Sequence, residues 1–155
     1  MFKKELRVAW SKIPTGVGVL TTLEKPGDIH GITINSFFSL SIKPPMIAVS
    51  VSNNAKSHNL IVGNNKFGFS VLNSNQSEYA NYFSLQNEET IPSDFRFTEL
   101  SKGIYVIENS LSQMSCELTN NFSIGDHTIF VANIKKMTSN ESDPLIWYKS
   151  KFINF

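Results

Sequence analysis

Gly31–Pro45 reads GITINSFFSLSIKPP, and further on Gly125–Phe130 reads GDHTIF. In the first stretch, small polar residues (Thr33, Asn35, Ser36) alternate with Ile32, Ile34 and Phe37. β-Branched and aromatic residues with period-2 spacing predict a strand over Ile29–Ser36 and a bent continuation over Phe37–Ile42. Pro44 and Pro45 end the run, because proline brings no amide to a ladder. The hydroxyls and the amide of the polar cluster suit a surface where donors closely approach an anion. The second stretch sets a glycine, a carboxylate and an imidazole directly before an apolar strand over His127–Met137. Gly125 and Asp126 are turn residues.

Working outward, Leu6, Val8, Ala9, Trp10 and Ile13 give a short amphipathic helix stopped by Pro14. Gly16–Thr22 reads as a strand, followed by Pro-Gly turn chemistry at Lys25–Gly27. Met46–Ser52 (MIAVSVS) suits a strand buried on both faces. Ser57–Val62 reads as one or two helical turns, capped by Ser57 and stopped by Gly63. Phe67–Leu72 is a strand, and Ser77–Leu85 a helix capped by Ser74 or Ser77. Gln86–Gly103 is polar and irregular, the pattern of a long surface loop. Ser110–Thr119 is a further strand, joined to His127–Met137 by Asn120–Asp126, and Pro144–Tyr148 leads into a short terminal strand. The sum is about six or seven strands with two or three short helices, a mostly β, closed or nearly closed antiparallel barrel.

With 155 residues, no repeats and no shift in composition, a single domain over 1–155 is expected. Charged residues make up 17% and the formal net charge is +1, which gives no electrostatic reason to bind nucleic acid or an anionic membrane. No run approaches the ~20 apolar residues of a membrane span. The single cysteine, Cys116, excludes an internal disulfide, and the expectation is a soluble cytoplasmic protein. His30, His58 and His127 lie far apart without metal-ligand spacing, so no metal site is expected. Gly16-Val17-Gly18 has Thr21 where a third glycine would stand, so it is no Rossmann fingerprint. A GxSxG elbow is also missing.

The two opening stretches, in this order and separation, resemble the short-chain flavin reductase family, the small components of two-component flavin monooxygenases. Pro14-Thr15-Gly16 matches as well, and the resemblance runs from Leu6 to Phe155. It implies an antiparallel split β-barrel, a homodimer, FMN or FAD as the flavin, and NADH or NADPH as hydride donor. It further implies a separate monooxygenase that receives the reduced flavin. Thr33, Ile34, Asn35 and Ser36 would lie against the flavin. As ordinary turn residues they would simply close a strand.

Ser50, Val51 and Ser52 lead through Asn53 and Asn54 to Lys56 and Ser57. There a helix N-terminus with its partial positive charge would favour a phosphate. The plain alternative is a solvated turn with a capping serine. Family members carry more arginine in this segment, and WYKSKF (Trp147–Phe152) replaces a segment that tends to read YYRGRY. Lysine does not reproduce the bidentate contact of arginine. His127, with Gly125 and Tyr148, would shape the nicotinamide side, and Asp126 would hold the loop or orient His127. Phe83 would either wall the flavin ring or pack in the core. Hydride transfer to a flavin needs no protein nucleophile, because the cofactor carries the reactivity. The alternative is a flavin-binding protein that accepts no hydride: a carrier, store or sensor.

Overall fold

The computed structural model describes residues 2–85 and 90–153. In chain order the elements are α1 (Phe2–Ser11), β1 (Thr15–Gly16), β2 (Gly18–Lys25), β3 (Asp28–Ile34), β4 (Phe37–Ile42), β5 (Pro45–Ser52) and α2 (Lys56–Asn64). Then follow β6 (Lys66–Val71), α3 (Ser77–Ser84), β7 (Phe97–Ser101), β8 (Ile104–Ile107), β9 (Ser112–Ile124), β10 (His127–Ser139), β11 (Ile146–Tyr148) and β12 (Lys151–Ile153).

Among the described residues, seven strands form one sheet in the order β3-β2-β6-β9-β10-β5-β4, with antiparallel neighbours throughout. Its two edge strands, β3 and β4, are joined by only Asn35 and Ser36. In a flat sheet those edges would stand about 29 Å apart, given the ~4.8 Å spacing of strands. The three Cα steps from Ile34 to Phe37 span at most about 11 Å. The sheet therefore has to curl until its edges nearly meet. They do not pair with each other, so the barrel stays split along the β3/β4 seam.

This corrects one reading of the sequence. Phe37–Ile42 is not a bent continuation within one strand but the opposite edge of the sheet. β4 then turns through a cis Lys43–Pro44 bond into β5, with Ile42 opposite Pro45.

Two apolar cores result because β2 is buried on both faces. Leu20, Phe67, Phe69 and Phe130 fill the barrel, together with Ile61 from α2. Val17, Val19, Leu72, Ile107 and Leu145 face outward and are covered by Ala80 and Phe83 of α3. Cys116 is fully buried in the barrel, and burial pushes its thiol up to about 12. It packs in the barrel core.

Several boundaries differ from the sequence reading. Within the expected loop Gln86–Gly103, residues 86–89 lie outside the described residues, and Phe97–Ser101 is strand β7, hairpinned to β8. Its exposed polar residues (Thr98, Glu99) hide the alternation that marks a strand. Ser57 is not a cap: α2 begins a residue earlier, with Ala55 at the N-cap and no side-chain cap bond. Gly63 does not stop the helix; Asn65 does, in the left-handed conformation (φ 55°), donating its amide to Ile61. At α3 the N-cap is Gln76, neither Ser74 nor Ser77. β9 runs on to Ile124, so the connection read as Asn120–Asp126 shrinks to Gly125–Asp126.

Candidate functional site

β5 is the element that assembles the site. Val49 and Val51 point into the barrel, fully buried, while Ser50 and Ser52 emerge on the other face of the pleat. Ser50 meets the β3–β4 link: its amide donates to the Ser36 carbonyl (2.8 Å), and the Ser36 hydroxyl donates to the Ser50 carbonyl (2.8 Å). Ser52 stands directly opposite His127 in the β5–β10 register. Gly125 and Asp126 form the two-residue turn of the β9–β10 hairpin. Gly125 sits at φ +61°, a conformation that glycine adopts without strain.

This turn is pinned from the side. The Asn53 amide donates to the Asp126 carbonyl (3.0 Å), and Asn53 Nδ2 donates to the Gly125 carbonyl (3.3 Å). The Thr128 hydroxyl donates to Asn53 Oδ1 (2.8 Å), and His58 Nε2 lies 3.0 Å from the same hydroxyl. Asp126 Oδ1 accepts a 2.7 Å hydrogen bond from His127 Nδ1. That bond, and then the charge of His127, hold the Asp126 carboxyl below its ordinary value. With Nδ1 engaged by the carboxylate, Nε2 is the nitrogen His127 presents outward. Asp126 is thus bonded to the ring of His127.

Downstream of Asn54 the chain enters α2, and there a second region opens. A cavity of about 890 Å3 is lined by Lys56 and Ser57, by Glu24, Asp28 and His30 of the β2–β3 hairpin, and by Tyr82, Phe83 and Phe95. Ser57 is fully buried, with Oγ 2.9 Å from His30 Nε2. Lys56 Nζ is 2.6 Å from Glu24 Oε2, so much of its charge is already compensated. The Lys56 ammonium, through its hydrogen bond, lowers the Glu24 carboxyl. Burial, then the charge of Lys56, depresses His30. Phe83 is buried with its ring against Gly31, where a Cβ would lie 2.6 Å from the ring. It packs in the outer core, the second of the two readings, and also lines the cavity.

The structure therefore sorts the expected site residues into two neighbouring groups. Ser36, Ser50, Ser52, Gly125, Asp126 and His127 meet around the hairpin turn. Lys56, Ser57 and Phe83 line the cavity. Ile34 and Val51 are buried in the barrel, so what they can offer a ligand is their main chain, and the Thr33 hydroxyl donates to the Ala80 carbonyl (2.8 Å). Asn35 bonds Thr15 Oγ1 (3.1 Å), tying the seam to the small sheet β1-β11-β12 that carries Tyr148. Sequence reasoning missed Asn53, His58 and His30. Asn53 was legible only as a departure from arginine, and the two histidines were weighed only as metal ligands.

An open barrel with a hydroxyl-lined strand end, an outward imidazole and an adjoining aromatic cavity defines a split-barrel protein with a site at its seam. The profile of the flavin reductase like domain matches residues 10–155, and the chain belongs to that family. An NADH-dependent flavin reductase of Pseudomonas fluorescens is 30% identical over 149 residues, covering 94% of this chain and 86% of that protein. Among solved structures, the flavin reductase PheA2 superposes with a TM-score of 0.91 at 35% identity, covering 100% of this chain and 99% of the other. The flavin reductase of the styrene monooxygenase from Pseudomonas putida S12 does so with 0.87 at 28% identity, covering 97% of both chains.

Proposed function

We propose that the protein is an NAD(P)H:flavin oxidoreductase that passes reduced flavin to a separate monooxygenase. The observation that carries this reading is the register that sets His127 opposite Ser52, beside the Ser36–Ser50 seam. The flavin supplies the hydride-accepting ring. The chain's part is positioning. Ser36, Ser50 and Ser52 would hold the ring's polar edge, and the N-terminus of α2 with Lys56 and Ser57 would face the phosphate. His127, steered by Asp126, would hold the nicotinamide so that its C4 comes within roughly 3–3.5 Å of the ring. NADH is the donor we favour over NADPH, since similar proteins such as the Pseudomonas fluorescens enzyme are named as NADH-dependent.

We also propose a homodimer in the cytoplasm. In the single chain, α1 buries none of its residues, and the edge strand β4 exposes Phe38, Leu40 and Ile42. Phe122 and Ile124 are exposed near the hairpin tip. An apolar edge strand left open invites pairing, and a second copy is the partner always at hand. Among the described residues no helix is long and apolar enough to cross a membrane. Sedimentation should give twice the chain mass, and Ile42→Glu should give the monomer; a monomeric parent protein would overturn this part.

The reaction itself is tested by anaerobic mixing with FMN or FAD and NADH. Bleaching of the oxidised flavin band over many equivalents is the expected result. Flavin that binds but stays oxidised with both NADH and NADPH would contradict the assignment and favour a carrier or sensor.

A further inference from the structure

His58 belongs to neither group of expected site residues, yet the donors and acceptors around it lead to the hairpin turn. It lies in the first turn of α2, half-buried. Its ring centroid is 5.3 Å from that of the fully buried Phe130, with the planes at 57°, so the imidazole is backed by the packed barrel core.

The directions of the hydrogen bonds form a single chain. Asn53 Nδ2 donates to the Gly125 carbonyl, which leaves the other end of that amide, Oδ1, facing Thr128, where it can only accept. The Thr128 hydroxyl places its one proton there (2.8 Å). Its oxygen then accepts, and His58 Nε2, 3.0 Å away, is the donor and carries the hydrogen. His58 Nδ1 faces the exposed Asn59 side chain (3.3 Å). Thr128 is buried and directly follows His127, so its side chain enters the barrel where that of His127 leaves it. The chain thus grips β10 beside His127 and continues to the carbonyl at the turn.

We propose that His58 is a positioning residue for His127: through Thr128 and Asn53 it fixes the Gly125 carbonyl and, with it, the direction of the His127 ring. The Asn53 amide keeps the turn in place, and the side-chain relay sets its fine position. The effect on nicotinamide use rests on the role given to His127 above.

The test compares the parent protein with His58→Leu, His58→Gln, Thr128→Val and the double variant His58→Leu/Thr128→Val. The readouts are the KM for NADH, flavin affinity and the His127 ring resonances by NMR. Glutamine carries an N–H donor at about the reach of Nε2, and leucine carries none. His58→Leu should raise the KM for NADH about five-fold, the scale of one neutral hydrogen bond, and shift the His127 resonances. Flavin affinity should stay unchanged, and His58→Gln should recover both readouts. Thr128→Val keeps the side-chain shape and breaks the relay even where His58→Leu disturbs packing on Phe130. It should match His58→Leu, with the double variant no worse than either, because all three cut one chain. Equal changes in flavin affinity and NADH KM would make His58 a general support of the fold and overturn the proposal. So would unmoved His127 resonances in His58→Leu and Thr128→Val, no recovery in His58→Gln, or additive effects in the double variant. A parent protein that does not bleach flavin with NADH would overturn the reductase assignment instead, and the His127 resonances of the four variants would still decide the relay.

Discussion

The hairpin turn at Gly125–His127 and the cavity under α3 adjoin opposite ends of Ser50–Ser57, yet different forces build them. The turn is held mainly by backbone: the β5–β10 register, the Asn53 amide on the Asp126 carbonyl, and a glycine in a left-handed conformation. Its side chains are exposed and carry little of the fold. The cavity is held by side chains, with Phe83 wedged on Gly31, Thr33 tethering α3, and His30 against buried Ser57. Residues at the turn are therefore replaceable with chemical consequences alone, while residues of the cavity wall carry stability too.

The strongest way to break this contrast is Phe83→Ala. Truncating a buried phenylalanine costs about 3–5 kcal/mol, read as a shift in the urea midpoint. A loss under about 1 kcal/mol would mean that Phe83 does not hold the wall. Gly31→Ala comes next. Its Cβ would meet the Phe83 ring at 2.6 Å, and such overpacking costs about 1–3 kcal/mol. An unchanged midpoint would show that the ring moves aside freely.

Asn53→Ala removes the side-chain bonds to Gly125 and Thr128 but spares the backbone bond to Asp126. A loss of about 1 kcal/mol per bond or less is expected, with the turn retained in amide-exchange protection of Asn53. Collapse of that protection would mean that side chains, not backbone, hold the turn.

The smallest effect is a pH dependence. His30 is depressed in the folded protein, so its contribution is fully present above the ordinary value of 6.5 and is lost as pH falls through the lower folded value. The urea midpoint should fall modestly on acidification below 6.5, and His30→Gln should flatten part of that slope. An identical slope in the variant would remove His30 as its source.

The same contrast explains what could be read from the sequence. Strand pleats and turns leave local signals. Gly125-Asp126 is turn chemistry, so the hairpin turn was legible, whereas Met46–Ser52 reads as a strand buried on both faces and in fact alternates over Val49-Ser50-Val51-Ser52. Even there the pleat was under-used: Ile34 and Val51 share segments with polar neighbours but point into the barrel. Long-range packing leaves no local signal. Nothing in the residues around Phe83 announces that its ring rests on Gly31, or that Tyr82 and Phe95, on either side of residues 86–89, share a cavity with His30. Ser57 looked like a cap because serine commonly is one. Its burial depends on His30, twenty-seven residues earlier. The position of β4 at the far edge of the sheet likewise follows from curling, which a strand pattern cannot record.

The most direct test of the central claim is His127→Ala, compared with the parent protein for flavin affinity and for the KM of NADH. The account predicts a KM for NADH raised at least about ten-fold, with flavin affinity and the urea midpoint unchanged. Equal loss of flavin and NADH binding, or no change in either, would contradict the assignment of the hairpin turn to the nicotinamide.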